Sequence, residues 1–475
     1  MRILYYNWVP FDEELRGGGV TVYTRNLINS ILNLYPDDEV YFLCAGCYYD
    51  TEDNSIRYEQ IKLKYESKCK AYAIINSPVF APAYLSFFHM EKMMSDKTLK
   101  PVFVSFLKEK GPFDVVHFQN FEGLSIDCLQ LKKEFTHTRF VYSIHNYFAF
   151  CPRVDLWKES KENCMNKDTD EKCIKCMICH VPTEKLRKKM AIDYMQRLDD
   201  SPEKIIIYNQ MRRRIDEEYA EEEKKIISDE ENRTLAKCLC EYRKKLVGVV
   251  NENMDEVLAV SERVKEIAIN MGVDRSRLIT SYIGTKVAET AINYYKGSTQ
   301  TPLSMIYMGY QNTEKGYYFL LKVLDAMTSE IADKIKIMII ARGNDYNEEI
   351  LKIHKQKFNS VKYQNGYKRE EIYELLKEAD FGIVPVLWED NLPQVAIEMA
   401  AHGVPVLCSD RGGAKELTSN ADFVFVADDV NSCIEKIRKI VENPKELEGY
   451  YDNYHKLTTM KKHADELIRI YSGKN

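Results

Sequence analysis

The chain has 475 residues, 45% of them hydrophobic and 29% charged, with a formal net charge of -6 at pH 7. That length calls for two domains plus insertions, and that composition belongs to a globular, soluble chain rather than a disordered one. No face-wide basic excess exists to hold nucleic acid, and no window approaches the ~20 apolar residues of a membrane span.

In chain order, short apolar runs alternate with helix-period segments, the pattern of parallel α/β architecture. The opening residues, an apolar run followed by acids, predict a buried first strand over residues 2–9 rather than a signal peptide. Further strands are predicted over residues 40–44, 114–119, 139–145, 256–261 and 278–283. Residues 287–302 contain Gly297, Ser298, Thr299 and Pro302 with few apolar residues, and are predicted as a linker. After it, strands over 304–308, 335–340, 381–387, 404–409 and 423–426 are separated by helices such as 370–379 and 393–402. The expectation is an N-terminal Rossmann-like lobe (1–286), a C-terminal one (303–458) and a last helix (459–475) returning to the first lobe. Two such lobes leave a cleft at the carboxyl ends of both sheets, where open parallel sheets bind ligands.

Residues 146–253 are too long for one connection and are predicted as an insertion with its own structure. The stretch 183–245 is charged and helix-prone, with Arg212-Arg213-Arg214 and Glu221-Glu222-Glu223, and predicts a solvated helical hairpin. Docking of a partner or an anionic membrane surface is the other reading of such runs. Residues 84–108 interleave Phe87, Phe88, Met90, Met93 and Met94 with lysines. That pattern fits either a core-packed helix or a peripheral membrane contact.

Chemistry concentrates in residues 388–416, WEDNLPQVAIEMAAHGVPVLCSDRGGAKE. Asp390 and Glu398 are eight positions apart, slightly over two helical turns at 3.6 residues per turn, so both carboxylates face one side. Such a pair accepts several hydroxyl donors at once, as a sugar and a ribose require. The unpaired amides that open the helix after Leu392 suit a diphosphate. Spacing alone serves equally a buried, structural Glu398 balanced by a nearby Lys or Arg. Gly17-Gly18-Gly19 follow the first strand and allow close backbone approach to a ligand. His145 ends the strand VYSIH, and His117 stands next to the end of DVVHF, where a structural role is expected.

The 388–416 stretch resembles the retaining family 4 glycosyltransferases. Their mark is Glu-x7-Glu, a small-residue helix, G-x-P-V and a Gly-Gly loop; here Asp390-x7-Glu398, Gly403-Val404-Pro405-Val406, Gly412-Gly413 and Glu416. The resemblance implies the GT-B fold and covers both lobes but not the insertion. It implies that Glu398 holds the donor ribose and Asp390 the sugar hydroxyls, with Asn391 and Leu392 beside them. Lys315, before Gly316, would meet the diphosphate, and Gly18 and Gly19 would face it across the cleft. His145 would stand near the sugar. The family's arginine after the strand glycine is replaced by Tyr310, which leaves Arg342 as a candidate second cation. Retention of configuration and a lipid-linked or glycan acceptor of the cell envelope follow by the same resemblance. No acidic pair between the lobes marks a site for a donor-bound divalent metal, so no catalytic cofactor or metal is expected. A sugar-nucleotide epimerase or a non-catalytic partner subunit on the same fold are the rival readings.

The chain has 13 cysteines, and without a secretory signal these point to a reducing, cytoplasmic setting. Cys164, Cys173, Cys176 and Cys179, with His180 beside them, have tetrahedral zinc spacing. Structural zinc, an iron–sulfur cluster and plain reduced thiols all remain open for them.

Overall fold

The computed structural model describes residues 1–475 except 14–15, 83–88, 160, 166–172, 174–175, 177–180, 223–227 and 474–475. The chain up to residue 286 contains β1 (Arg2–Tyr6), β2 (Glu39–Ala45), β3 (Arg57–Gln60), β4 (Lys70–Ile75), β5 (Val115–Phe118) and β6 (Arg139–Ile144). A short hairpin, β7 (Trp157–Lys158) and β8 (Glu162–Asn163), precedes β9 (Glu256–Ala259) and β10 (Leu278–Thr280). Among the described residues the sheet runs β10-β9-β6-β5-β1-β2-β4-β3, parallel except for β3 against β4. Ile3, Leu4, Tyr5 and Tyr6 are all fully buried, because helices cover both faces of a parallel sheet and its strands are apolar on both sides.

The second lobe carries β11 (Leu303–Tyr310), β12 (Ile335–Arg342), β13 (Ser360–Gln364), β14 (Phe381–Val384), β15 (Val406–Ser409) and β16 (Val424–Phe425). They form a parallel sheet ordered β13-β12-β11-β14-β15-β16. Strand order reverses between β1 and β5 in one lobe and between β11 and β14 in the other. A crevice opens at the carboxyl ends of the strands at such points. The expected fold of two Rossmann-like lobes is therefore the observed one.

Several elements differ from the sequence expectation. β1 stops at Tyr6, β10 at Thr280 and β14 at Val384, and β15 starts at Val406. In each case the apolar run extends beyond the ladder, and Pro385 and Pro405 lack the N–H that a central strand must donate. β3, β4 and β13 were not predicted; β4 has the apolar run 71–75 that marks a buried strand, and that signal was missed. β3 and β13 are edge strands with partly exposed residues, so no alternating apolar pattern marks them.

Charged residues 183–245 do not form one solvated hairpin. Helices Thr183–Leu198 and Pro202–Glu218 pair through Ile192, Tyr208, Ile215 and Tyr219. Arg197, nearly buried, ties the first of them to the fully buried Asp12 carboxylate at 2.7 Å. Helix Asp229–Asn253 instead buries Leu239, Tyr242, Leu246, Val249 and Val250 in the first lobe. It is the crossover between β6 and β9, and its charged opening hid that buried stripe. Of the 84–108 stretch, Met90, Met93, Leu99, Phe103, Phe106 and Leu107 are core residues; Phe87 and Phe88 lie outside the described residues. Among the described residues no helix is long and apolar enough to cross a membrane. Helix Met460–Tyr471 packs on helix Gly18–Leu34 of the first lobe.

Candidate active site

A cavity of about 770 Å³ lies between the lobes. Its first-lobe wall includes Gly18, Gly19, Tyr23 and His145, and its second-lobe wall includes Lys315, Asp390, Asn391, Leu392 and Glu398. Every site residue named from the sequence outside the cysteine group thus faces one space. β1 delivers the glycine loop, β6 delivers His145, β11 delivers Lys315, and β14 delivers Asp390. Gly18 has φ +55°, and neither Gly18 nor Gly19 has a neighbour within 4 Å of where a side chain would start. The backbone there is open to the cavity.

Asp390 sits in the loop before helix Gln394–Ala401, and Glu398 lies on that helix. Lys315 Nζ donates to Asp390 Oδ2 at 2.6 Å and stands 4.9 Å over the Trp388 ring. The cation that balances Asp390 is thus the lysine assigned to phosphate. Glu398 is half-buried. Its charge adds to burial in pushing the Tyr367 hydroxyl up to about 12. Arg342, at the end of β12, also lines the cavity, as does Tyr310. Tyr23 and Tyr367 escaped the sequence reading. Tyr23 sits inside an amphipathic helix whose pattern says only that it is buried, and Tyr367 follows the unsignalled strand β13.

His145 Nε2 meets Gln119 Oε1 at 2.8 Å, and its ring lies 4.8 Å from that of Tyr23. Desolvation, with His463 adding to it, pushes the His145 pKa down to about 3, which keeps the ring neutral at pH 7. His117 is a structural residue: fully buried, it bonds Tyr471 Oη at 2.6 Å and Ser143 Oγ at 2.8 Å. Tyr23 Oη meets His463 Nε2 at 2.6 Å, so the last helix braces the cavity wall.

Burial holds the His463 pKa down at about 4 and that of His117 well below the usual imidazole range. Both groups stay neutral in the folded chain while the unfolded chain takes up protons near 6.5. The stability they contribute is present above about pH 6.5 and is lost as pH falls toward 4. Melting temperature should therefore drop across that window, and His463→Gln should flatten the drop. A wild-type slope in that variant removes His463 as a source.

Glu389 is fully buried next to Asp390. Burial alone would raise its pKa, but hydrogen bonds and charge from Arg263 and the Gly412 amide hold it below the usual carboxylate value. Gly412 has φ +65°, and a side chain there would meet Asp390 O at 2.1 Å, while one on Gly413 would meet Asn391 O at 2.3 Å. The Gly-Gly pair therefore serves close packing against the Asp390 loop.

In the cysteine-rich stretch, Cys176 Sγ accepts from the Glu159 amide at 3.3 Å, and the Cys164 amide donates to Leu156 O at 2.7 Å. Cys173 packs against the first lobe's core. Cys179 lies outside the described residues. Among the described residues no three His, Cys, Asp or Glu side chains are grouped to hold a metal.

Residues 295–457 match the family described as Glycosyl transferases group 1. No curated protein matches the chain by sequence. Among solved structures it is similar to sucrose-phosphate synthase from Thermosynechococcus elongatus, with TM-score 0.57, 14% identity, and coverage of 99% of this chain and 98% of that one. It is also similar to the lipopolysaccharide outer core galactosyltransferase WaaB, with TM-score 0.54, 13% identity and 100% of both chains covered. A third is a UDP-forming alpha,alpha-trehalose-phosphate synthase from Burkholderia xenovorans, with TM-score 0.55, 11% identity and 100% of both chains covered. The chain thus has the GT-B fold, and its second lobe matches the group 1 glycosyl transferases.

Proposed function

We propose that the protein is a retaining glycosyltransferase that moves a sugar from a nucleoside diphosphate to a hydroxyl acceptor. The convergence of Lys315, Asp390 and Glu398 on one wall of the cavity, opposite Gly18 and His145, carries this reading. Glu398 accepts from the ribose hydroxyls and Asp390 from those of the sugar, since ionised carboxylates only accept. Lys315 and the amides opening helix Gln394–Ala401 hold the diphosphate and stabilise its charge as it leaves. The departing oxygen takes the acceptor's proton on the same face, which gives retention. Neutral His145 lies where it can bond a sugar hydroxyl. The trehalose-phosphate synthase neighbour is UDP-forming, and a uridine nucleotide is the first donor to test. A lipid-linked or glycan acceptor, met in the cytoplasm at the membrane surface, completes the proposal. A structural zinc on Cys164, Cys173, Cys176 and Cys179 is a separate part of it, outside the chemistry.

A thermal-shift series with nucleotide sugars tests the donor assignment. At about 100 times its dissociation constant, the cognate donor should raise the melting temperature by roughly 3 °C or more. No shift with any nucleoside diphosphate sugar would remove the assignment. Turnover should survive EDTA, because lysine and backbone amides neutralise the diphosphate. Loss of turnover restored by Mg²⁺ or Mn²⁺, but not by Zn²⁺, would overturn that phosphate model; zinc must be followed because chelation can unfold a metal-stapled segment.

A further inference from the structure

We propose that Glu389 is a positioning residue that couples closure of the two lobes to the placement of Asp390. The inference rests on the glycosyltransferase reading for what Asp390 does, but the seam itself stands on geometry. The Glu389 carboxylate is fully buried and gathers donors from three separate segments. Arg263, on first-lobe helix Glu262–Asn270, grips it in bidentate fashion, Nη2 to Oε1 at 2.6 Å and Nε to Oε2 at 2.9 Å. Asn163 of the β7–β8 hairpin donates to Oε1 at 2.9 Å, and the Gly412 amide to Oε2 at 3.1 Å. Arg411 stands further off, 3.7 Å from Oε1. Bidentate arginine pairing fixes direction as well as charge. A carboxylate this deep is held only while its partners stay in place.

The same seam has four more bonds across the lobes, three at Glu416 and one at Asn391. Glu416 accepts from the amides of Glu262 at 2.9 Å and Arg263 at 2.8 Å, and from Tyr282 Oη at 2.8 Å. A second-lobe carboxylate thus caps a first-lobe helix, where anionic groups meet unpaired amides and the positive dipole end. Asn391 Nδ2 reaches Ile144 O at 3.4 Å, one residue before His145. Asp390 therefore lies between two residues that both bond to the first lobe. If the lobes part, its flanks lose those partners together, and the carboxylate meant for the sugar is no longer held. The hairpin that supplies Asn163 brings the cysteine-rich stretch into the same linkage.

The variant Arg263→Met/Glu389→Gln removes both charges but keeps an oxygen to accept from Gly412 and Asn163. Hydrogen exchange of the intact chain without ligand should show the Glu262 and Arg263 amides exchanging about tenfold faster than in the wild type. With the donor sugar, kcat should fall about tenfold or more while donor KM stays within about twofold, because Lys315, the helix amides and Glu398, which hold phosphate and ribose, all lie on the second lobe. Arg263→Lys, which keeps the charge and loses the fork, should show a smaller fall in kcat at an unchanged melting temperature. That variant decides the matter if the double variant does not fold. Wild-type exchange at the two amides, or wild-type kcat in Arg263→Lys or in a folded double variant, overturns the proposal. A wild-type protein that transfers no sugar contradicts the functional reading instead, and the exchange experiment still decides the seam.

Discussion

Glu398→Gln should lower donor affinity by about 100-fold, through loss of two charge-assisted hydrogen bonds at roughly 1.5 kcal/mol each. The side chain projects into the interlobe cavity from helix Gln394–Ala401. An ionised carboxylate offers two acceptor oxygens to a vicinal diol; an amide of the same shape offers one and presents N–H groups to the other hydroxyl. Half-burial strengthens the effect, because water cannot fully replace the lost acceptor. Isothermal titration with the cognate donor is the measurement, with circular dichroism to show that the fold persists. Unchanged affinity removes Glu398 from the ribose.

Lys315→Met should reduce kcat by about 100-fold, the scale on which an enzyme loses a group aimed at developing charge. The ammonium contacts Asp390 and the face of Trp388, so it is held at the mouth of the switch point between β11 and β14. As the diphosphate leaves, its negative charge grows, and an interaction stronger in the transition state than in the ground state raises kcat. The substitution also leaves the largely buried Asp390 carboxylate without this cation. Lys315→Arg should restore only part of the rate, because a planar fork cannot replace a compact point charge between two anions. Steady-state kinetics that show a change in donor KM alone would make Lys315 a binding residue with no part in the transition state.

The parallel α/β fold was legible because strands buried on both faces are apolar runs, and Ile335–Arg342 or Phe381–Val384 can hardly be read otherwise. The cavity residues were legible because the site is assembled from loops that directly follow those strands. Lys315, His145 and Asp390 each come within a few positions of a strand end. Strands β3 and β13 were not, since an edge strand needs no apolar face. Helix Asp229–Asn253 was misread because Asp229, Glu230 and Glu231 serve its N-terminus, where acids belong whatever the rest of the helix buries. The seam was invisible for another reason. Arg263 and Glu389 are 126 positions apart, and each alone is an ordinary surface charge; only the docking of one lobe on the other buries them. The Gly-Gly pair had a signal, but its steric reason, a gap too narrow for any side chain, appears only in three dimensions.

The most direct test of the account is a product assay with the intact protein, nucleoside diphosphate sugars and hydroxyl acceptors. Release of the nucleoside diphosphate should match formation of a new glycoside in equal amounts. Nuclear magnetic resonance should show the donor's anomeric configuration kept, and Glu398→Gln should lack both products. A donor consumed into an epimeric nucleotide sugar, without free diphosphate, or a donor that binds and is never turned over, would contradict it.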